Sequence, residues 1–277
     1  MKTPISYYGG KQTMVRHILP MIPKHEIYVE PFLGGGAVFF AKLKSKHEVL
    51  NDIDGRITNF FRVCQTKYDE LAMLIKGTAH SEIEHKRAKD LLKNMNGTDV
   101  ELAWAFWVQT NMSFGNNMFC GFALGKSCRQ PLNTANKRDS FTEKYAERLR
   151  DVTIFSRDAL DVIRRMDSEE TFFYCDPPYV SSDQGNYKGY TMEDFSALLE
   201  TLSNIKGKFL LSSYPEPSLL DFVSKHKWKH KQITCSVAVN GRRKEKKIKI
   251  ECLTWNYNAN DLFYESILEE QCHIAAS

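Results

Sequence analysis

The sequence predicts an α/β protein: a mostly parallel sheet covered by helices, with an antiparallel hairpin at its carboxyl end and a mainly helical insertion interrupting it. Three observations predict this. Strand-like and helix-like runs alternate from His25 to Leu50 and again from Val152 to His226. The long segment between them keeps helical periodicity with few strand-like runs, and an Asn240-Gly241 pair, a strong hairpin signal, lies between the last two strands.

Taken in order, His25–Glu30 (HEIYVE) reads as a short strand, Gly36–Leu43 (GAVFFAKL) as the start of a helix and His47–Leu50 (HEVL) as the next strand. Helical stretches follow at Ile57–Lys76, Ser81–Asn94 and Asp99–Met112, with Gly77 and Gly97 as punctuation. Between Phe114 and Arg138 the composition shifts to Gly, Asn, Ser and Pro with scattered aromatics (Phe114, Phe119, Phe122), which predicts an ordered loop or hairpin. The alternation resumes with Val152–Ser156 (VTIFS), Ala159–Met166, Thr171–Cys175 (TFFYC), Glu193–Ile205, Lys208–Ser213 and Ser218–His226. The expected division is therefore a sheet domain from residues 1–54 and 151–277, and an insertion at 55–150 with its hairpin at about 113–138.

A chain of 277 residues can bury the core of one such domain with an inserted subdomain. No stretch approaches the roughly 20 apolar residues of a membrane span, and the amino end lacks a signal-peptide pattern, so a soluble, intracellular protein is expected. Seven scattered cysteines without a CxxC pair argue against a disulfide framework and against zinc, and eight histidines show no ligand spacing, so no metal is expected. The net charge of +4 is modest, but Lys225 to Lys249 holds ten Lys or Arg against the single acid Glu245. A looser basic stretch runs through Lys126, Arg129, Lys137 and Arg138. Such clusters neutralise phosphates, or form a solvated basic face.

Two motifs carry chemistry. The first unit reads VEPFLGGGAVFF and then VLNDID. A glycine turn between strand and helix lets a ligand approach the backbone, and an acid about 20 residues onward can grip ribose hydroxyls, a role open to Asp52. The dinucleotide fingerprint is absent, since Phe39 stands where the third glycine belongs, and Glu30 would repel a pyrophosphate. The pattern suits a phosphate-free nucleoside carrying a cation, such as S-adenosylmethionine, with Glu30 toward its amino-acid end and Phe32 or Ile53 flanking its adenine. An ordinary glycine turn would read the same way. Ser6-Tyr7-Tyr8-Gly9-Gly10-Lys11 offers a second glycine turn, with an aromatic and a cation.

The second motif is the end of the apolar strand Thr171–Cys175, where Asp176, Pro177, Pro178 and Tyr179 follow. Prolines cannot continue a sheet ladder, so the strand stops at a stiff corner bearing a carboxylate, an unpaired carbonyl and a ring. In open α/β sheets that edge is where ligands bind. An aromatic amine is a poor nucleophile because its lone pair is delocalised into the ring. Held through both hydrogens by Asp176 and the Pro177 carbonyl, with Tyr179 stacked on its base, such an amine pyramidalises and can attack a sulfonium methyl directly.

Together YYGGK, EPFLGGG, NDID, SRDALDVI, DPPY, FLLSSY and ECLTWNY, in this order over nearly the whole length, resemble the Dam-like (alpha group) DNA adenine-N6 methyltransferases. The resemblance implies a Rossmann-like class I methyltransferase sheet with an inserted helical target-recognition subdomain. It also implies S-adenosylmethionine as methyl donor without a metal, double-stranded DNA as substrate, and a flipped adenine as target. Tyr7, Lys11, Glu30, Phe32, Gly34, Gly36 and Asp52 match the family's cofactor contacts, and Asp158 its adenine-reading acid. Asp176, Pro177, Pro178 and Tyr179 match its catalytic corner, with Asp176 also close to the cofactor. The stretch NMSFGNNMFCGFALGKSCRQ resembles its DNA-contacting hairpin; Lys126 and Arg129 are candidate DNA contacts there, and Asn116 and Asn117 candidate base readers. Tyr7 departs from a frequent Trp, and the hairpin departs from that of GATC-methylating members. The alternatives are an N4-cytosine DNA methyltransferase and a catalytically idle DNA-binding module of the same fold. The expected setting is the cytoplasm of a bacterial or phage-infected cell, with no obligate protein partner and room for a companion restriction nuclease.

Overall fold

The computed structural model describes residues 1–7, 9–124, 130–180, 189–237 and 247–258. Its seven strands are β1 (Ile27–Glu30), β2 (His47–Asn51), β3 (Thr153–Phe155), β4 (Thr171–Cys175), β5 (Lys208–Ser213), β6 (Lys229–Val237) and β7 (Lys247–Trp255). They form one sheet in the order β3-β2-β1-β4-β5-β7-β6, the Rossmann-like order expected from the resemblance. Parallel pairing joins β1 to β4 and β4 to β5, while β7 runs antiparallel to both β5 and β6. The step from β1 to β4 is the topological switch point, where the carboxyl ends of two parallel neighbours open a ligand crevice.

By packing, the chain divides into two compact units. One comprises Met1–Arg16, Leu33–Lys44 and Leu50–Arg157; the other comprises His17–Phe32, Ser45–Val49 and Asp158–Ser277. No helix among the described residues is long and apolar enough to cross a membrane.

The first unit is mainly helical. It holds the first half of short α1 (Val15–Ile18) and all of α2 (Ala37–Ala41), α3 (Gly55–Thr66), α4 (Tyr68–Gly77), α5 (Glu82–Asn94), α6 (Asp99–Met112), α7 (Gln130–Asp139) and α8 (Lys144–Leu149). In α3, Ile57, Phe60, Phe61 and Cys64 recur at helical spacing and are all buried, the stripe that drives it onto its neighbours. A capping box fixes the start of α6, with Thr98 N–H donating to Glu101 Oε2 at 2.8 Å and Glu101 N–H to Thr98 Oγ1 at 3.3 Å. Ten of the fourteen α6 residues are buried, so this helix is the unit's central post.

Two sequence expectations are corrected here. The helix expected over Ile57–Lys76 is broken at Lys67, whose φ/ψ of −138°/41° separates α3 from α4. Tyr68 begins the new helix because its ring stacks on Phe141 at 5.5 Å and its hydroxyl donates to the Phe141 carbonyl, while Asp69 and Glu70 suit a helix amino end. The hairpin expected over 113–138 is narrower: an antiparallel bridge joins Ser113 to Phe122, and residues from Gln130 onward are helical. Few strand-forming residues follow Phe122 to extend a ladder.

In the second unit, β4 is buried at all five positions, as a central strand must be, and it packs with Tyr28, Phe209 and Leu210 in the core. Helices α9 (Ala159–Met166), α10 (Met192–Ser203) and α11 (Pro217–His226) complete it. The β6–β7 register pairs Val237 with Lys247; the Asn240-Gly241 pair lies outside the described residues.

Candidate active site

In the first unit a glycine turn leads into α2. Gly36 N–H donates to the Leu33 carbonyl at 2.8 Å, and Leu33 N–H donates to the Asn51 carbonyl at 2.9 Å. Gly34 and Gly36 have φ of 49° and 68°, left-handed values that favour glycine. The turn is also pressed by Tyr7: a Cβ on Gly34 would stand 3.2 Å from the Tyr7 ring, and one on Gly35 would stand 2.9 Å from Tyr7 Cβ. Glycine is needed here for close approach as well as for φ. Lys11 is buried, and its carbonyl accepts the N–H groups of Met14 and Val15 at 2.8 and 2.9 Å.

Asp52, just past β2, is tied to this turn. Its Oδ2 accepts Gly34 N–H and its Oδ1 accepts Asp54 N–H, both at 2.9 Å. Burial pushes the carboxyl up from 3.8 to about 6, against the lowering effect of those two N–H groups. Each oxygen takes one backbone donor in these bonds, and a carboxylate oxygen has about two acceptor sites, so both can receive a further hydroxyl. Asp54 caps α3 and holds Arg56, whose Nη2 lies 2.6 Å from Asp54 Oδ2. The other adenine-flanking candidate, Ile53, is 76% exposed.

In the same unit the loop after α6 is anchored from below. Buried Gln109 donates to the His85 carbonyl at 2.8 Å and accepts Phe119 N–H at 3.2 Å. His85 Nε2 meets Ser113 Oγ at 2.8 Å, and Lys89 Nζ donates to the Phe119 carbonyl at 2.6 Å. Burial holds the His85 imidazole below its usual range. Above this floor Asn116 is exposed with φ of 55°, Asn117 is half-buried, and Phe114 is exposed. Lys126 and Arg129 lie outside the described residues.

The second unit holds the corner after β4. Glu30 ends the adjacent β1, is buried, and accepts the Tyr28 hydroxyl at 2.8 Å. Asp176 and Pro178 are half-buried and Pro177 is buried. The Tyr179 hydroxyl donates to Glu251 Oε2 at 2.6 Å and lies 3.2 Å from Ser212 Oγ, while its ring sits 4.4 Å from Tyr214, tilted by 59°. Burial, reinforced by the Asp176 and Glu251 charges, pushes the Tyr179 phenol well above its usual value, so it stays a protonated donor. Phe32 meets Tyr190 edge-on at 6.4 Å. Asp158 caps α9, its Oδ1 accepting Leu160 N–H at 2.9 Å and Asp161 N–H at 3.2 Å; Oδ2 takes no part in that cap.

The structure thus joins Tyr7 to the glycine turn and the turn to Asp52, and it gives Tyr179 three partners, Ser212, Tyr214 and Glu251, that sequence reasoning did not single out. Glu251 opens the string ECLTWNY, and as an acid inside the apolar run IECLTW it holds a position that demands a buried partner. The following Asn256 and Tyr257 serve the fold. Asn256 pairs with Phe209 N–H and the Gly207 carbonyl, and the Tyr257 hydroxyl donates to the Met21 carbonyl.

Comparison with known proteins places these features in a family. Residues 7–232 match the family described as D12 class N6 adenine-specific DNA methyltransferase. The DNA adenine methylase of Salmonella typhi is 25% identical over 202 residues, 69% of this chain and 70% of that protein. That of Vibrio cholerae is 25% identical over 206 residues, covering 71% and 74%. The type II methyltransferase M.MjaIII of Methanocaldococcus jannaschii is 24% identical over 233 residues, covering 71% and 75%. A match that runs from Tyr7 through helices α3 to α8 and into β6 exceeds what a shared sheet requires, and the chain belongs to the D12 class of N6 adenine-specific DNA methyltransferases.

Proposed function

We propose that the enzyme moves a methyl group from S-adenosylmethionine to N6 of an adenine flipped out of double-stranded DNA. Family membership makes adenine N6 the target, so the N4-cytosine reading and the idle-module reading are not favoured. The observation that carries the finer reading is the corner after β4, where Asp176 and Pro177 precede a Tyr179 ring held by hydroxyl and face. Asp176 and the Pro177 carbonyl accept the two N6 hydrogens, which tilts them from the base plane and localises the nitrogen lone pair. Tyr179 stacks on the purine and fixes its plane. The Asp176 carboxylate takes the N6 proton that leaves after the new bond forms, while the Pro177 carbonyl keeps the remaining N–H. An adenine inside a duplex cannot reach such a corner, hence the flipped base.

The residues fit the donor. Asp52 keeps acceptor capacity for a ribose diol, the turn of Gly34 and Gly36 bares its backbone, and buried Glu30 offers a negative charge to a cation. When bound, S-adenosylmethionine supplies an electrophilic methyl carbon, which takes up the amine's lone pair as its bond to sulfur breaks. Tyr7, Lys11, Phe32, Asp158 and Asp176 complete the proposed donor contacts. Residues 55–150 form the proposed target-recognition part, with Asn116 and Asn117 as base readers and Lys126 and Arg129 on DNA. A relative named as a type II methyltransferase supports a restriction–modification setting, and a DNA substrate supports the cytoplasm.

Incubation with labelled S-adenosylmethionine and unmethylated genomic DNA, followed by nucleoside analysis and mapping, tests this. N6-methyladenine at one short motif is the expected result. Methylated cytosine, or no transfer to DNA, would defeat the reading.

A further inference from the structure

We infer that Glu251 is a positioning residue for base stacking: it clamps the Tyr179 hydroxyl so that the ring is set before the target adenine arrives. The inference rests on the proposal that Tyr179 stacks on that adenine. Glu251 lies in β7, beyond the span 7–232 that matches the family model, and it opens the string ECLTWNY, to which the resemblance attaches no role.

The geometry supports a clamp. The O–H···O separation of 2.6 Å lies in the range of charge-assisted bonds, roughly 2.5–2.7 Å. A phenol has one proton. With that proton on Glu251 Oε2, the 3.2 Å contact with Ser212 must run the other way, Ser212 donating to the phenol oxygen. The order Ser212 to Tyr179 to Glu251 leaves the ring's polar end tied at two points, and Tyr214 closes on it at 4.4 Å.

Both anchors stand on strands while Tyr179 does not. Ser212 on β5 pairs with Leu253 on β7, and Glu251 pairs with Ile233 on β6, so each sits within a hydrogen-bonded ladder. Residues Asp176–Tyr179 have no regular secondary structure of their own. A tyrosine on such a segment would lose side-chain freedom each time a base docked; one already clamped has lost it in advance. A carboxylate only 3% exposed is also a poor choice for stability alone, because desolvating it is costly and an apolar residue would fill the strand as well.

The test compares full-length wild type with Glu251→Gln, Tyr179→Phe and the double variant on an unmethylated duplex carrying the motif that the enzyme methylates. Two readouts are taken: kcat and KM for DNA, and the fluorescence of 2-aminopurine in place of the target adenine with S-adenosylhomocysteine present. Gln and Phe preserve shape, so the variants are expected to fold. Glu251→Gln should lower kcat by about tenfold to a hundredfold, the scale of a misplaced reactant, and alter the 2-aminopurine signal. In the Tyr179→Phe background the same change should add less than about twofold, because the hydroxyl it acts through is gone. Wild-type kcat in Glu251→Gln, or losses that multiply in the double variant, would overturn the inference. So would a flipped-base signal in wild type that Glu251→Gln leaves untouched. Absence of any flipped-base signal in wild type would instead bring down the underlying stacking proposal, and this inference with it.

Discussion

Asp52 and Asp176 are both half-buried acids at strand ends, yet they call for different measurements. For Asp176 the expected outcome is loss of methyl transfer on substitution by Ala, by about a hundredfold or more, as when a pre-placed hydrogen-bond partner is removed from a reaction centre. Single-turnover assays check it; a rate within tenfold of wild type would show that the carboxylate is not needed to hold the amine. Asp52 titrates within reach of experiment. Its carboxyl, raised from 3.8 to about 6, favours the fold below the lower value and loses that contribution as pH rises through the higher. At neutral pH its charge therefore works against stability while supplying acceptors for a ligand. Affinity for S-adenosylhomocysteine should fall as pH drops through about 6, and Asp52→Asn should flatten that dependence in calorimetric titrations. The spacing of Asp52 from the glycine turn was visible in the sequence. The pressure of Tyr7 on Gly34 and Gly35 was not, because it depends on a contact between residues far apart in the chain.

At the scale of elements, legibility followed burial. Helix α6, helix α9 and strands β4 and β5 have the bounds that periodicity predicts, since their apolar patterns are long or unbroken. The α3/α4 break at Lys67 carried no Gly or Pro to announce it; it arises from Tyr68 packing on Phe141, a residue in a distant segment. Helix α7 (QPLNTANKRD) was hidden by loop-like composition. The loop that begins at Ser113 depends on Gln109 as its floor. Gln109→Ala would leave Phe119 N–H and the His85 carbonyl without that partner, a loss of about 1–3 kcal/mol in stability by chemical denaturation, the usual penalty for exposing a buried polar group to no partner. DNA affinity should weaken with it, measured by fluorescence anisotropy, while donor affinity holds.

For the molecule as a whole, the βα alternation and the terminal hairpin were legible because they repeat over long distances, and the sheet order follows from them with few alternatives. Charge was legible as clusters along the chain but not in what each cation does. Of the basic run, Lys229 turns out to be occupied by the fold, its Nζ donating to the Tyr257 carbonyl and to Asn258 Oδ1, each at 2.7 Å. Counting cations in the sequence thus overstates those available to phosphates. DNA affinity should still fall steeply with added salt, and Arg129→Ala should lessen the slope of log Kd against log salt by about 0.9 if that side chain neutralises one phosphate. An unchanged slope would remove Arg129 from the contact. The floor made by Gln109, His85 and Lys89 grips the Ser113–Phe122 segment largely through its backbone and Ser113. Exposed side chains at its tip are therefore free to drift during evolution; on the proposed role of Asn116 and Asn117 as base readers, an altered reading preference could be grafted there by exchanging a few residues without rebuilding the scaffold beneath.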